Sequence, residues 1–182
     1  MGRGADIAPG HKTPEVEAQK SKRQVVLTPL GEGASPLWVL GEFQARKVSS
    51  RRTGGAYSLF EVTTPPGSGP PPHVQHREDE AFYVLEGEFA FLHGEEILRA
   101  GTGSYLYVPK GTLHTHDNVG ESTGRMLMIQ TPGGLYERFF EKVGKPSDGE
   151  AGPPVFEDHP DVAGIRATAA KHGLEIPQPD AG

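Results

Sequence analysis

Apolar positions along this chain come in short bursts with a period of two. Phe89 and Phe91 alternate with smaller neighbours in Phe89–His93, and Ala56–Thr64, Ala81–Leu85, Leu113–Val119 and Arg125–Thr131 are runs of similar length. Alternation over four to eight residues is the pattern of a half-buried strand. Gln24–Leu27, Trp38–Val48, Glu95–Arg99 and Ser104–Val108 extend the series. Turn signals separate the runs: Thr53-Gly54-Gly55, Glu86-Gly87, His93-Gly94, Ala100–Gly103 and Pro109-Lys110-Gly111. Many short strands with close turns predict an all-β barrel or sandwich. PPGSGPPP, residues 65–72, interrupts them as a stiff loop, since its prolines have no amide to give a sheet.

After Pro132-Gly133-Gly134 the period changes. Leu135, Phe139, Phe140 and Val143 fall on one face of a helix. That helix is too apolar to face water, so it is expected against the barrel, at its rim or across its mouth. Gly144–Pro154 reads as a linker that leaves a second helix, Asp161–His172, free to move; Asp161 is its expected cap and Gly173 its end. Residues 1–23 are polar and aperiodic, and read as a flexible arm. The chain thus divides into an arm (1–23), a barrel (24–134) and a C-terminal helical segment with its tail (135–182).

Composition narrows the class. A chain of 182 residues is long enough for one domain with a real core, and with no cysteine it has neither disulfides nor thiolate metal sites. A net charge of −6 argues against a nucleic-acid partner. Apolar runs are short strand-sized pieces such as Leu37–Leu40 and Met126–Ile129, far short of the roughly 18 residues of a membrane span. The first residues lack the apolar stretch of a secretory signal. The expectation is a cytoplasmic protein with neither a nucleic-acid nor a membrane partner.

Two spaced motifs carry the chemistry. The first is Gly67, five residues, His73, one residue, Gln75, four residues, Glu80, six residues, Gly87. The second is Gly103, five residues, Pro109, one residue, Gly111, two residues, His114, three residues, Asn118. They resemble the two motifs of the cupin superfamily; the second matches throughout and the first departs only at Gln75, where the family has a second histidine. The likeness covers about residues 55–131. With VPKGTLHTHDNVG and TPGGLYERFFEKVG it extends to the small single-domain bacterial cupins of quercetin 2,3-dioxygenase-like type. The resemblance implies a jelly-roll barrel, the double-stranded β-helix, with short C-terminal helices. It also implies three or four metal ligands inside the barrel mouth and frequent dimerisation through sheet edges.

Strand geometry adds to this. Residues two apart share a face, so His73 and Gln75 point together and His76 points away. Glu80 begins the next strand, and a closed barrel brings His114 opposite. Two imidazoles, a carboxylate and an amide oxygen, without sulfur, suit one divalent ion of iron, manganese, nickel, zinc or copper. Each residue has a plainer reading: buried structural histidines for His73 and His114, a surface charge for Glu80, and a pocket wall for Gln75. His116 shares the inward face of His114 and is a candidate ligand, acid–base group or pocket wall. His76 could substitute as a ligand only through a bulge. Phe82, Val84 and Met128, with Leu106 and Val108, form core or pocket wall; Tyr105 and Tyr107 are expected to pack.

In quercetinase-like cupins the glutamate takes the substrate's hydroxyl proton before dioxygen adds and the ring opens. The resemblance gives that catalytic role to Glu80, with a small enolisable phenolic and O2 as the reactants. The amide at Gln75 opens a second reading, a lyase, isomerase or cyclase that uses the metal as a Lewis acid. A third is a non-enzymatic cupin that binds a small ligand. A homodimer built on Gln24–Leu27 and Trp38–Phe43 is expected to cover exposed strand edges.

Overall fold

The computed structural model describes residues 25–29, 32–94, 96–147 and 161–178. The expected arm 1–23, most of the linker, the start of the strand expected from Gln24 and the last four residues lie outside them. In chain order the elements are β1 (Leu37–Val39), β2 (Glu42–Val48), the single-turn α1 (Ser50–Thr53), β3 (Ser58–Thr64), β4 (His73–Gln75), β5 (Asp79–Glu86) and β6 (Glu88–His93). They continue with β7 (Glu96–Gly101), β8 (Tyr105–Val108), β9 (Leu113–Asn118), β10 (Gly124–Thr131), α2 (Leu135–Val143), β11 (Lys145–Pro146), α3 (Val162–Lys171) and β12 (Leu174–Glu175).

The strands form two antiparallel sheets, a jelly roll of the double-stranded β-helix type. The larger has the order β11-β1-β2-β3-β10-β5-β8 and the smaller β12-β4-β9-β6-β7. Alternation explains the layering. In β3 the buried positions are Ser58, Phe60, Val62 and Thr64, and in β10 they are Gly124, Met126, Met128 and Gln130. These faces meet Phe89 and Phe91 of the smaller sheet, and Phe82 joins the two with its ring 5.1 Å from that of Phe91. Each such apolar side chain contributes roughly 1.5–3 kcal/mol by leaving water.

Several expectations change. Val25–Leu27 form no strand, and the side chains of Val25 and Leu27 face water. The run Trp38–Val48 is a hairpin rather than one strand, because Leu40 and Gly41 both take positive φ in a two-residue turn. Tyr105 and Tyr107 are exposed, since they occupy the outward parity of edge strand β8. The segment after the linker is docked instead of independent. Ile165 and Ala169 of α3 are buried, and β12 pairs with β4 through Leu174 opposite Gln75. Asp161 caps α3, its carboxylate accepting from the Gly164 amide. Among the described residues no helix is long and apolar enough to cross a membrane.

Helix α2 lies against the barrel with Tyr136, Phe139 and Phe140 buried. Its exposed N-terminal amides are satisfied from the barrel: Leu135 and Tyr136 donate to the two oxygens of Glu78 at 2.8 and 3.0 Å. The Glu137 carboxylate in turn accepts from the Ser50 amide and hydroxyl of α1. The helix is thus tied at both faces.

Candidate metal centre

The proline-rich loop delivers the first histidine. It lies along β9, with Gly67 donating to the Asn118 carbonyl and Asn118 to that of Ser68. A Cβ at Gly69 would collide with the His116 carbonyl, so only glycine lets the loop approach this closely. The chain then enters β4, where His73 stands in direct register with His114 of β9. Their rings are 4.4 Å apart.

Each ring is oriented by a carbonyl two residues upstream. His73 Nδ1 donates to Pro71 and His114 Nδ1 to Thr112, both at 3.0 Å. Both Nε2 atoms are left for the interior. Glu80, on β5 of the opposite sheet, brings Oε2 to 2.9 Å from His114 Nε2 and 4.0 Å from His73 Nε2. Its other oxygen accepts from Gln130 Nε2 at 3.1 Å. The three candidate ligand atoms lie within 4.8 Å of one another, and all three residues are buried.

The electrostatics follow from that burial. For Glu80 burial favours the acid, but the hydrogen bond and charge of His114, then His73, outweigh it and hold the carboxyl below its ordinary value. For His114 burial opposes the charged ring, yet contact with Glu80 raises it overall. Burial and the neighbouring His114 pull His73 down to about 4, so its ring is neutral and Nε2 carries a lone pair.

The remaining candidates take distinct places. Gln75 is buried on the same face as His73, and both polar atoms of its amide lack a hydrogen-bond partner. An orphaned buried amide beside two imidazoles and a carboxylate fits a bound cation or its water better than a filled polar core. His76 faces out and pairs with Glu175 at 2.8 Å. His116 is buried but is not one of the three clustered ligand residues; its Nε2 lies 2.8 Å from Glu42 Oε1. Phe82, Met128 and His116 line a narrow cavity with His73 and Glu80, whereas Val84 sits in the hydrophobic core outside that lining.

Sequence reasoning passed over four neighbours. Gln130 follows Met126 and Met128 at period two, a signal that was present. Tyr136 belongs with Phe139 and Phe140 at i, i+3 and i+4. Its hydroxyl lies 3.5 Å from His73 Nε2, and burial, with Glu80, Glu42 and Glu78 nearby, pushes it well above the ordinary tyrosine range. Glu42 and Gln44 are polar residues on an inward strand face, and no motif marks them.

The family model described as Cupin domain matches residues 60–130. A quercetin 2,3-dioxygenase of Bacillus subtilis is 28% identical over 150 residues, which cover 76% of this chain and 44% of that protein. An uncharacterized protein of Streptomyces coelicolor is 33% identical over 78 residues, 43% of this chain and 68% of its own length. Among solved structures, a predicted oxalate decarboxylase of Thermotoga maritima is 23% identical with a TM-score of 0.47, over 50% of this chain and 79% of that one. The chain therefore spans less than half the length of the Bacillus enzyme.

Proposed function

This chain belongs to the cupin superfamily, and we propose that within it the protein is a metal-dependent dioxygenase acting on an enolisable phenolic or flavonol-like small molecule. The observation that carries this reading is the buried His73–Glu80–His114 cluster beside the unpartnered Gln75 amide. The likeness to the quercetin 2,3-dioxygenase supports the reaction class. A divalent ion of iron, manganese, nickel, zinc or copper suits the donor set, and when bound it supplies Lewis acidity and a meeting place for substrate and O2.

The protein's own groups supply the rest. The Nε2 atoms of His73 and His114 and one Glu80 oxygen would hold the ion, with Gln75 or its water completing the shell. Glu80 is kept ionised and is braced by Gln130, so it can receive the substrate's hydroxyl proton. The Tyr136 hydroxyl stays protonated beside the His73 ring. Phe82, Met128 and Phe140 wall the cavity with apolar surface that keeps bulk water out. A homodimer in the cytoplasm belongs to the same reading.

Protein purified without chelators is expected to carry about one divalent ion per chain and to consume oxygen with a flavonol. Metal without oxygen uptake would move the assignment to a Lewis-acid lyase, isomerase or cyclase, which the amide at Gln75 favours. Absence of metal would leave a small-ligand-binding cupin.

A further inference from the structure

Cross-strand register sets one layer of side chains across the barrel. On the smaller sheet His73, His114 and His93 stand side by side on one face, from β4 through β9 to β6. On the larger sheet Gln130, Glu80 and Val108 do the same, from β10 through β5 to β8. The metal cluster occupies the middle of this layer. At its end, between His93 and Val108, lies a pocket of about 240 Å³ that His114 also lines. The next layer supplies its floor: Phe91 and Leu98 are in register on β6 and β7, and Leu106 of β8 joins them. Leu98 shares the inward parity of buried Ala100, yet it is 41% exposed, because nothing among the described residues covers it. Ile97 and Tyr105, of the opposite parity, point out of the barrel and stay clear of the pocket. His93 is exposed at the rim and has no hydrogen-bond partner among the described residues.

We propose that this pocket is where the substrate docks: it takes one aromatic ring of a small phenolic, whose hydroxyl edge turns toward His114 and Glu80 and is held at His93. The phenolic class rests on the reading above; the ring-sized pocket beside the cluster does not. The inner cavity that His73 and Glu80 line has about 10 Å³ of free space, room for one water, so a ring must lie elsewhere. An apolar cavity of about 150 Å³ is enough for benzene. The pocket at the end of the layer exceeds that. It also shares a wall with the cluster, through His114 itself and through Val108, the in-register neighbour of Glu80. Phe91, Leu98 and Leu106 give the ring an apolar bed, and the two imidazoles stand in the layer that holds the cluster. Polar substituents are thereby sorted to the edge nearest the metal. An imidazole offers a hydrogen bond in either protonation state, so His93 can hold a hydroxyl without titrating.

The test is an NMR titration of the full-length, metal-free protein with phenol and toluene, rings of one size with and without a hydroxyl. Both are expected to shift the resonances of His93, Leu98 and Leu106. Leu98→Trp, which fills the pocket from its open side, should weaken both by about tenfold or more. Leu98→Phe serves if that variant fails to fold. His93→Leu should cost phenol about fivefold, the size of one hydrogen bond, and leave toluene unchanged. Absence of binding would overturn the proposal. So would shifts confined to Leu37, Phe60 and Glu141, which wall the outer pocket of about 280 Å³ between β2 and α2. Phenol binding that survives Leu98→Trp would do the same, and wild-type phenol affinity in His93→Leu would strike His93 from the site. Phenol binding at this pocket without oxygen uptake by the metal-loaded protein leaves the pocket standing and removes only the dioxygenase reading. Oxygen uptake that Leu98→Trp leaves untouched overturns the pocket and keeps that reading.

Discussion

His114 Nε2 lies 2.9 Å from Glu80 Oε2, although the two residues are 34 apart in the chain and belong to different sheets. Closure of the barrel makes the contact, and a proton between them occupies the place a cation would take. Metal uptake is therefore expected to release that proton. Because contact with Glu80 raises His114 above its ordinary 6.5, chelator-competition affinity should fall as pH is lowered through that raised value. His114→Ala should reduce metal content to background in elemental analysis. His76→Ala, which removes only a surface partner of Glu175, should leave it unchanged.

Gln75 offers a preformed ligand position on the face of His73. Gln75→His adds an imidazole there and is expected to raise metal affinity in competition with a chelator. Unchanged affinity would place the side chain outside the coordination shell.

The metal-free protein should lose stability in mild acid. The folded state holds His73 down at about 4, below its unfolded value of 6.5, so between the two the unfolded chain binds more protons. The stability this ring contributes is present above 6.5 and is lost as pH falls toward 4, by roughly 3 kcal/mol in all. The lowered carboxyl of Glu80 adds a loss of the same sign at lower pH. Denaturant melts across this range should show the decline, and His73→Gln should flatten its upper part.

Phe140 is buried in α2, with its ring 5.3 Å from Phe60 and 4.4 Å from Tyr136. Phe140→Ala should cost about 3–5 kcal/mol in a chemical melt. It also walls both the inner cavity and the outer pocket. Ligand binding per folded molecule should therefore change as well. Normal binding with lowered stability would confine α2 to a supporting role.

The sheet edges at β7 and β8 carry the exposed side chains Ile97, Leu98, Tyr105 and Tyr107. Such edges invite a partner. A homodimer is expected through these edges in place of the Gln24–Leu27 and Trp38–Phe43 surface, since Val25–Leu27 form no strand and β1 is already paired with β11; its light-scattering mass would be near twice the 19.5 kDa of one chain. A monomer at micromolar concentration would refute it.

Much of this protein is local and was therefore legible in the sequence. Period-two alternation placed β3, β5, β6, β9 and β10, because an apolar residue at every second position has one stable arrangement, a strand with one face buried. Glycine and proline marked the turns, and motif spacing named His73, Glu80 and His114. The hairpin at Leu40-Gly41 escaped because leucine rarely takes a positive φ, so the sequence there reads as one continuous strand.

Other features depended on which distant segments meet. The Gln130 brace on Glu80, the Tyr136 hydroxyl beside His73 and the Glu42–His116 pair each join residues from separate elements. A side chain's partners across a barrel are set by sheet register and closure, which the neighbouring sequence does not encode. The docking of α3 and β12 onto β4 is of the same kind: the linker's glycines and prolines suggest freedom, but buried Ile165, Ala169 and Leu174 remove it. The sequence by itself determined the sheets' faces and the candidate ligand set, because both follow from spacing along one strand. Only the tertiary structure decided which groups orient those ligands and which buried polar groups, such as the Gln75 amide, lack a partner among the described residues, because both depend on contacts made across the barrel.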